Sequence, residues 1–354
     1  MRNTFGQNVT VTLFGESHGE AIGAVVDGLT PGITVNEEFI ASQLSRRRPS
    51  LSTDTARVEP DNFKILSGVF NGKTTGTPLC IMIPNENARS RDYNHGPARP
   101  SHADYTAHVK YNGFEDYRGG GHFSGRITAA LVAVGGIIIP ALEEMGIVIG
   151  THISKCGGII DRDFSDIKGD VQVLKSSTFP TLDTQAGEKM VEKILEAKGS
   201  LDSIGGITET VIEGVPAGYG EPWFDSIESI LSHAMFSIGG VKGIEFGLGF
   251  GFAERLGSEA NDQMRYENGR VVTVTNNNGG INGGITNGMP ITFRCAVKPT
   301  PSIAKEQKTV DFIKNENTDI AIKGRHDPAI IRRICPVIDS ITAIALYDIM
   351  RSAK

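Results

Sequence analysis

The sequence lacks an uninterrupted apolar run long enough to cross a bilayer. The longest, "ITAALVAVGGIIIPAL" from Ile127 to Leu142, is broken by Gly135, Gly136 and Pro140. It falls short of the ~20 residues that a span requires and predicts a buried core helix instead. The N-terminal "MRNTFGQNV" has neither a long apolar stretch nor a small-residue cleavage site, which argues against a secretory signal and for a cytoplasmic protein. Cysteine is scarce. Cys80, Cys156, Cys295 and Cys335 lie far apart among apolar neighbours, a spacing that predicts buried reduced thiols rather than a disulfide framework or a zinc site. A basic excess is missing as well: the formal net charge is −6, which argues against a general nucleic-acid binder.

What is present is the composition of a soluble globular protein, 39% hydrophobic and 21% charged, in a chain of 354 residues able to bury a large core. No linker, composition shift or solenoid-period repeat divides it, so one domain over residues 1–354 is expected. "NVTVTLFG" alternates at strand period, and "TVNEEFIASQLSRRR" reads as a helix capped by Asn36, its arginines at the negative end of the dipole. "FDSIESILSHAMFSI" shows a capping-box pattern in Asp225 and Glu228. "QAGEKMVEKILEAKG" and "DSITAIALYDIMRSAK" predict further amphipathic helices, and "MPITFRCAVKP" predicts a strand. The fold class expected is therefore α/β, without the glycine fingerprint of a Rossmann domain.

Charge is unevenly spread. Arg46, Arg47 and Arg48 are consecutive, Arg57, Arg89, Arg91 and Arg99 follow, and Arg118 and Arg126 flank "GGGHFSG". Guanidinium forks match carboxylate and phosphate, so the cluster points to a small anionic ligand. Three glycine- or proline-bearing loops carry proton-exchanging groups: "FGESHGEA", with Glu16, Ser17 and His18; "ARPSHADYTAHVKYNGFEDYRGGGHFSGR", with His102, Asp104, His108 and His122; and "KGRHDPAIIRR". Glycine lets backbone approach a ligand closely, and loops on a rigid scaffold are where sites form.

In order and spacing, "FGESHG", "RRRP", "RPSHADYTAHVKY", "DYRGGG", "KGIEFG", "GGINGGITNG", "KPTPSI" and "GRHDP" together resemble the chorismate synthase family over nearly the whole chain. The resemblance implies a β-α-β sandwich, helices between antiparallel sheets, assembled as a homotetramer. It also implies loss of phosphate and a C6 hydrogen from 5-enolpyruvylshikimate 3-phosphate to give chorismate, on reduced FMN, in the shikimate pathway, with no net oxidation. How the flavin is reduced stays open, NADPH being one candidate. Arg47, Arg48, Arg99, Arg126 and Arg325 would bind a substrate with two carboxylates and a phosphate. His102 would serve as acid at the leaving phosphate, His18 would face the flavin, Asp327 would complete a proton relay, and Ser17 and Ser124 would pass protons. The flavin positions carried over are His122, Phe123, Ser124, Gly239, Gly240, Gly283, Lys298, Pro299, Thr300, Pro301, Ser302 and Arg325.

The chain departs from the family where "RGGGHFSGRIT" replaces the common "RGGGRSSARET", bringing in His122, Phe123 and Ile127. Two other classes stay open on the residues themselves. One is a metal-dependent phosphate-ester hydrolase using His18, His102, His108 and Asp104, although the six-residue spacing of His102 and His108 does not suit one helix face. The other is a binding module for anionic metabolites. Glu16 suits a role in holding its loop through backbone N–H groups as well as a catalytic one. Asp327 before Pro328 also suits a helix cap.

Overall fold

The structure, a computed structural model, describes residues 3–55, 59–87, 95–322 and 326–352. Two five-stranded antiparallel sheets enclose a layer of helices. The first sheet is built from β1 (Thr4–Phe5), β2 (Thr10–Gly15), β3 (Ala21–Asp27), β4 (Lys64–Ser67) and β5 (Leu79–Pro84), in the order β1-β2-β3-β5-β4. The second uses β6 (Val148–Cys156), β7 (Ile159–Ile160), β8 (Gly206–Glu213), β9 (Val241–Phe246) and β10 (Ile291–Val297), in the order β9-β10-β8-β6-β7. In β5, Leu79, Ile81 and Ile83 are buried and the residues between them half-buried, the period-two pattern of a sheet with one face on a core.

The middle layer explains the most apolar stretch of the sequence. The helices are α1 (Glu37–Arg47), α2 (Asp104–Lys110), α3 (Thr128–Glu144), α4 (Ile167–Ser176), α5 (Thr184–Gly199), α6 (Ile227–Phe236) and α7 (Ile331–Ser352). Helix α3 touches β3 and β5 of one sheet, β6 of the other, and both α1 and α7. A helix covered on all sides has no solvent face to make polar, so α3 is apolar all round. Among the described residues it is the one helix long and apolar enough to cross a membrane, and it is mostly buried. Gly135 and Gly136 set its packing distance: a Cβ on Gly135 would lie 2.3 Å from Ser340 Cβ on α7, and one on Gly136 would lie 3.0 Å from Ile40 Cα on α1.

Helix ends follow local chemistry. Asn36 caps α1 as expected, accepting the Phe39 N–H. The cap of α6 falls one residue later than expected: Asp225 closes a short 3-10 turn, and Ser226 accepts the Ser229 N–H. Helix α7 begins eight residues earlier than the "DSITAIALYDIM" pattern marks, and carries Pro336 inside it. Buried Asp348, near the far end of α7, takes N–H groups from Gln7, Asn8 and Val9, joining the two ends of the chain. All four cysteines are free; Cys156, Cys295 and Cys335 are buried and Cys80 is half-buried. Burial pushes the Cys156 thiol up to about 11 and that of Cys295 up to about 12, so neither is a nucleophile near neutral pH.

Candidate active site

Three loops meet at one edge of the first sheet. After β2 the chain turns sharply through Glu16–Gly19, burying Ser17 and His18. The Ser17 N–H bonds to the Gly121 carbonyl at 3.0 Å, tying this turn to the triple glycine. Gly119, Gly120 and Gly121 all have positive φ (61°, 84° and 51°), which a run of L-residues with side chains would not adopt. Contact makes the same demand: a Cβ on Gly119 would lie 2.1 Å from the His18 ring, and one on Gly120 would lie 3.2 Å from His102. The triple glycine is thus a thin partition with His18 against one residue and His102 against the next.

The partition separates two cavities. The larger, about 680 Å³, is lined by Arg99, His102, Gly120, His122 and Phe123 together with the aromatic rings of Tyr111, Tyr117 and Phe312. His102 is oriented by a 2.8 Å hydrogen bond from Nδ1 to Asp104. Asp104 in turn receives a two-pronged bond from Arg99, at 2.8 and 2.6 Å. Burial would raise the Asp104 carboxyl, but the hydrogen bonds from Arg99 and His102 outweigh it and hold the group well below the usual carboxylate range. A permanently ionised Asp104 fixes the tautomer of His102 and leaves Nε2 as its working nitrogen. His122 spends its Nδ1–H on the Gly15 carbonyl at 2.7 Å and clamps the two loops together.

The smaller cavity, about 220 Å³, is cationic. Arg47, Arg48, Arg126 and Arg333 converge on it with Ser124, Gly239 and Asp327. Arg126 is held on three sides: Asp61 pairs with Nη1, Asn85 Oδ1 accepts from Nε at 2.9 Å, and the Pro84 carbonyl from Nη2 at 3.1 Å. Arg47 donates to Thr128 Oγ1 at 2.9 Å and to the Gly125 carbonyl at 2.7 Å. Burial first, then the neighbouring charge of Arg333, pull Arg47 down to about 9, so it stays charged at neutral pH. The Arg48 guanidinium makes one hydrogen bond among the described residues, to the Pro60 carbonyl at 3.0 Å, which leaves donors for a ligand. Ser124 caps the turn that carries Arg126, accepting the Arg126 N–H at 3.2 Å.

Asp327 is not a helix cap. Helix α7 starts at Ile331, and the carboxylate accepts the Thr55 N–H at 3.0 Å and pairs with Arg333. Lys298 reaches the Ser101 carbonyl at 2.6 Å, and Ser302 accepts from Arg99 at 3.5 Å. Residues Lys298–Ser302, Pro299, Thr300 and Pro301 included, therefore stand behind the Arg99–His102 loop rather than on a cavity surface. Gly240 accepts the Lys298 N–H at 2.9 Å. Gly283 sits apart, in the turn of the hairpin Ile281–Thr286 with open space on its Cβ side, and lines neither cavity. Arg325 lies outside the described residues. The set weighed for a metal hydrolase does not converge: His102 pairs with Asp104, whereas His108 pairs with Glu115.

Sequence reasoning passed over Glu59, Asp61 and Arg333, which line the smaller cavity, and His326. Burial first, and then Arg99, push His326 below the ordinary histidine range. The second arginine of "IIRR" was the one available signal; the two acids lie in a segment without periodicity.

The comparisons agree with this arrangement. The family described as chorismate synthase matches residues 9–350. A chorismate synthase of Lachnoclostridium phytofermentans is 47% identical over 354 residues, spanning 99% of this chain and 95% of its own length. One of Pyrococcus abyssi is 46% identical over 346 residues, spanning 97% of this chain and 96% of its own. A solved structure titled "Crystal Structure of Chorismate Synthase" superposes with a TM-score of 0.78 at 30% identity, covering 98% of this chain and 93% of that one. A helical layer between two antiparallel sheets, with histidines on both sides of a triple glycine and arginines massed behind it, is accordingly no chance likeness, and the chain belongs to the chorismate synthase family.

Proposed function

We propose that this lyase-family protein removes phosphate and the C6 hydrogen from 5-enolpyruvylshikimate 3-phosphate in an anti-1,4-elimination giving chorismate, as a step of the shikimate pathway. The observation that carries this reading is the convergence of Arg47, Arg48, Arg126 and Arg333 on one cavity of a net acidic protein. A substrate with two carboxylates and a phosphate needs such a concentration of charge-assisted donors. Arg48, with donors to spare, binds the ligand directly, while Arg47 and Arg126, held by neighbouring oxygens, set the field and the shape.

The residues also fit FMN. Ser124 and Gly239 line the smaller cavity beside Gly119, and Thr300 Oγ1, in the segment that Lys298 joins to Gly240, is a buried hydroxyl with no partner among the described residues. His122, Phe123, Ser124, Gly239, Gly240 and Lys298–Ser302 would hold the group, with Arg325 and Gly283 by family likeness. Bound in reduced form, the flavin supplies the electron-rich ring and proton acceptor that elimination at an unactivated carbon requires. His102, steadied by Asp104, delivers a proton to the departing phosphate. His18 and Asp327 hold protons on the other side of the partition, with Ser17 and Ser124 beside them. NADPH is the candidate reductant, the cytoplasm the candidate location and a homotetramer the candidate assembly. Exposed Trp223, Phe224, Phe250 and Tyr266 supply apolar surface for subunit contact.

An anaerobic assay with reduced FMN and the enolpyruvyl substrate, following phosphate and chorismate together, tests the reading. Equal release of both is expected; phosphate without chorismate, or neither, overturns it.

A further inference from the structure

One cluster of metal-ligating side chains is not used by the elimination. His95 comes from the segment that bridges to Asp311 through Pro97, His108 from the last turn of α2, and Glu115 from the loop leading into the triple glycine. Their ligand atoms all lie within 4.8 Å of one another. Glu115 Oε1 is 3.0 Å from His108 Nδ1 and 3.5 Å from His95 Nε2. Zinc–nitrogen bonds of about 2.0–2.1 Å in a tetrahedron place neighbouring ligands roughly 3.4 Å apart, so the two separations from Glu115 are near the edges of a coordination shell, and the His95 and His108 nitrogens need close only from within 4.8 Å.

Hydrogen bonding alone accounts for only half of the carboxylate. Oε1 faces both imidazoles, but Oε2 is buried with no partner among the described residues, on a side chain only 8% exposed. Leaving an ionised oxygen unsatisfied is costly, and a cation held by both oxygens of the Glu115 carboxylate would satisfy it. The imidazoles are also held before any ligand arrives. His95 stacks on Tyr117 at 4.6 Å and 19°, and His108 lies 4.7 Å from the Phe312 ring. Gly113, at φ 80°, lets the turn pass beneath His108, where a Cβ would come within 3.2 Å of the ring.

We propose that His95, His108 and Glu115 form a binding site for a divalent transition-metal ion, zinc foremost, in the wall of the larger cavity. Two neutral imidazoles and one carboxylate are a donor set that zinc accepts, and three protein ligands leave a fourth position for water or a cavity ligand. Because the ligands come from three separate segments, the ion ties together the wall that leads to Gly119–Gly121. It stabilises the folded protein in proportion to its occupancy.

Full-length protein stripped with a chelator is titrated with zinc chloride by calorimetry, with cobalt(II) absorption as a second readout. One equivalent per chain is expected, together with a rise in Tm on adding zinc. Glu115→Gln, which keeps the shape, and His108→Ala should each weaken zinc binding at least about 30-fold, comparable with or beyond the effect of losing an outer-shell partner. His102→Ala should bind zinc as the parent does. Absence of binding at micromolar zinc overturns the proposal. So does unchanged affinity in Glu115→Gln, or loss of binding in His102→Ala, which would move the ion to the His102–Asp104 pair. Should His108→Ala fail to fold, Glu115→Gln decides alone.

Discussion

His102 and His152 are both paired with carboxylates, and of these two only His102 faces a cavity. His102 gives Nδ1 to Asp104 at 2.8 Å and turns its other edge toward the larger cavity. His152, on β6, is completely buried and has both nitrogens engaged, Nδ1 by Asp161 at 2.7 Å and Nε2 by Glu209 at 3.0 Å. The pairing chemistry is the same; the difference is one nitrogen with work left to do. A carboxylate that orients an imidazole makes a proton donor when the far nitrogen meets substrate, and a cross-link between strands when a second acid takes that nitrogen.

The sharpest break of this comparison is His102→Ala against His152→Ala. The first should lower turnover about 100- to 1000-fold with little loss of stability, as expected for losing an acid in the transition state. The second should leave turnover per folded molecule unchanged but cost about 3 kcal/mol of stability, because buried Asp161 and half-buried Glu209 lose their shared partner. Chemical denaturation and steady-state kinetics on both variants check it, and exchanged outcomes would erase the distinction. Next in size, Asp104→Asn should lower turnover about 30-fold while KM moves less than about threefold, with partial rescue by Asp104→Glu, since the carboxylate acts by holding His102.

A smaller effect distinguishes the buried pair by pH. Burial lowers His152, but its hydrogen bonds to Asp161 and Glu209 outweigh it, and the folded value is raised. The stability it gives is therefore complete below the unfolded histidine value of about 6.5 and is lost as pH rises through the higher folded value. For Asp161 burial raises the carboxyl, but His152 and the N–H groups of Leu182 and Asp183 hold it below the ordinary range. Its share is complete above about 3.9 and is lost in acid. The stability gap between the parent and His152→Gln should thus be widest near pH 5–6 and shrink toward alkaline pH; a gap that widens there contradicts the assignment. Smallest of all, Glu209→Gln should cost about 1 kcal/mol, because Glu209 is partly exposed and an amide oxygen can still accept.

Sequence pattern reached the scaffold more fully than the charges within it. The alternation of "TVTLFG" and the Asn36 cap read correctly because both are local: a two-residue period and one side chain bonding three residues on. The triple glycine stood out for a physical reason, since a contiguous left-handed turn leaves few other residues possible. Asp61 and Glu59 did not stand out. Both lie in a loop without period, and they matter because the fold brings Asp61 to Arg126 and Arg47, and Glu59 to the N–H groups of Glu86 and Asn87. The pattern marks α7 only from Asp339, because the segment before it is almost wholly buried and shows no amphipathic period; its Pro336 is tolerated where packing on α3, α1 and the second sheet outweighs the missing hydrogen bond. The Gly283 assignment, taken from family likeness, meets no cavity within the described chain, and distance in space leaves no mark in a glycine-rich run.

Helix α7 has a consequence for the order of assembly. It packs on α1, α3 and α6 and on β6 and β8 of the second sheet, yet it follows all of them in sequence and is made after them, and Asp348 near its end binds the backbone of residues 7–9. Until that helix emerges, β6 and β8 of the second sheet lack the larger part of their helical cover, and the first strands lack an anchor more than 300 residues away in sequence. Synthesis therefore leaves the second sheet and the first strands waiting on one late segment, with a loop-closure cost to meet and apolar surface open to other chains. A truncation that removes only the final turns would strike the beginning of the protein as hard as its end.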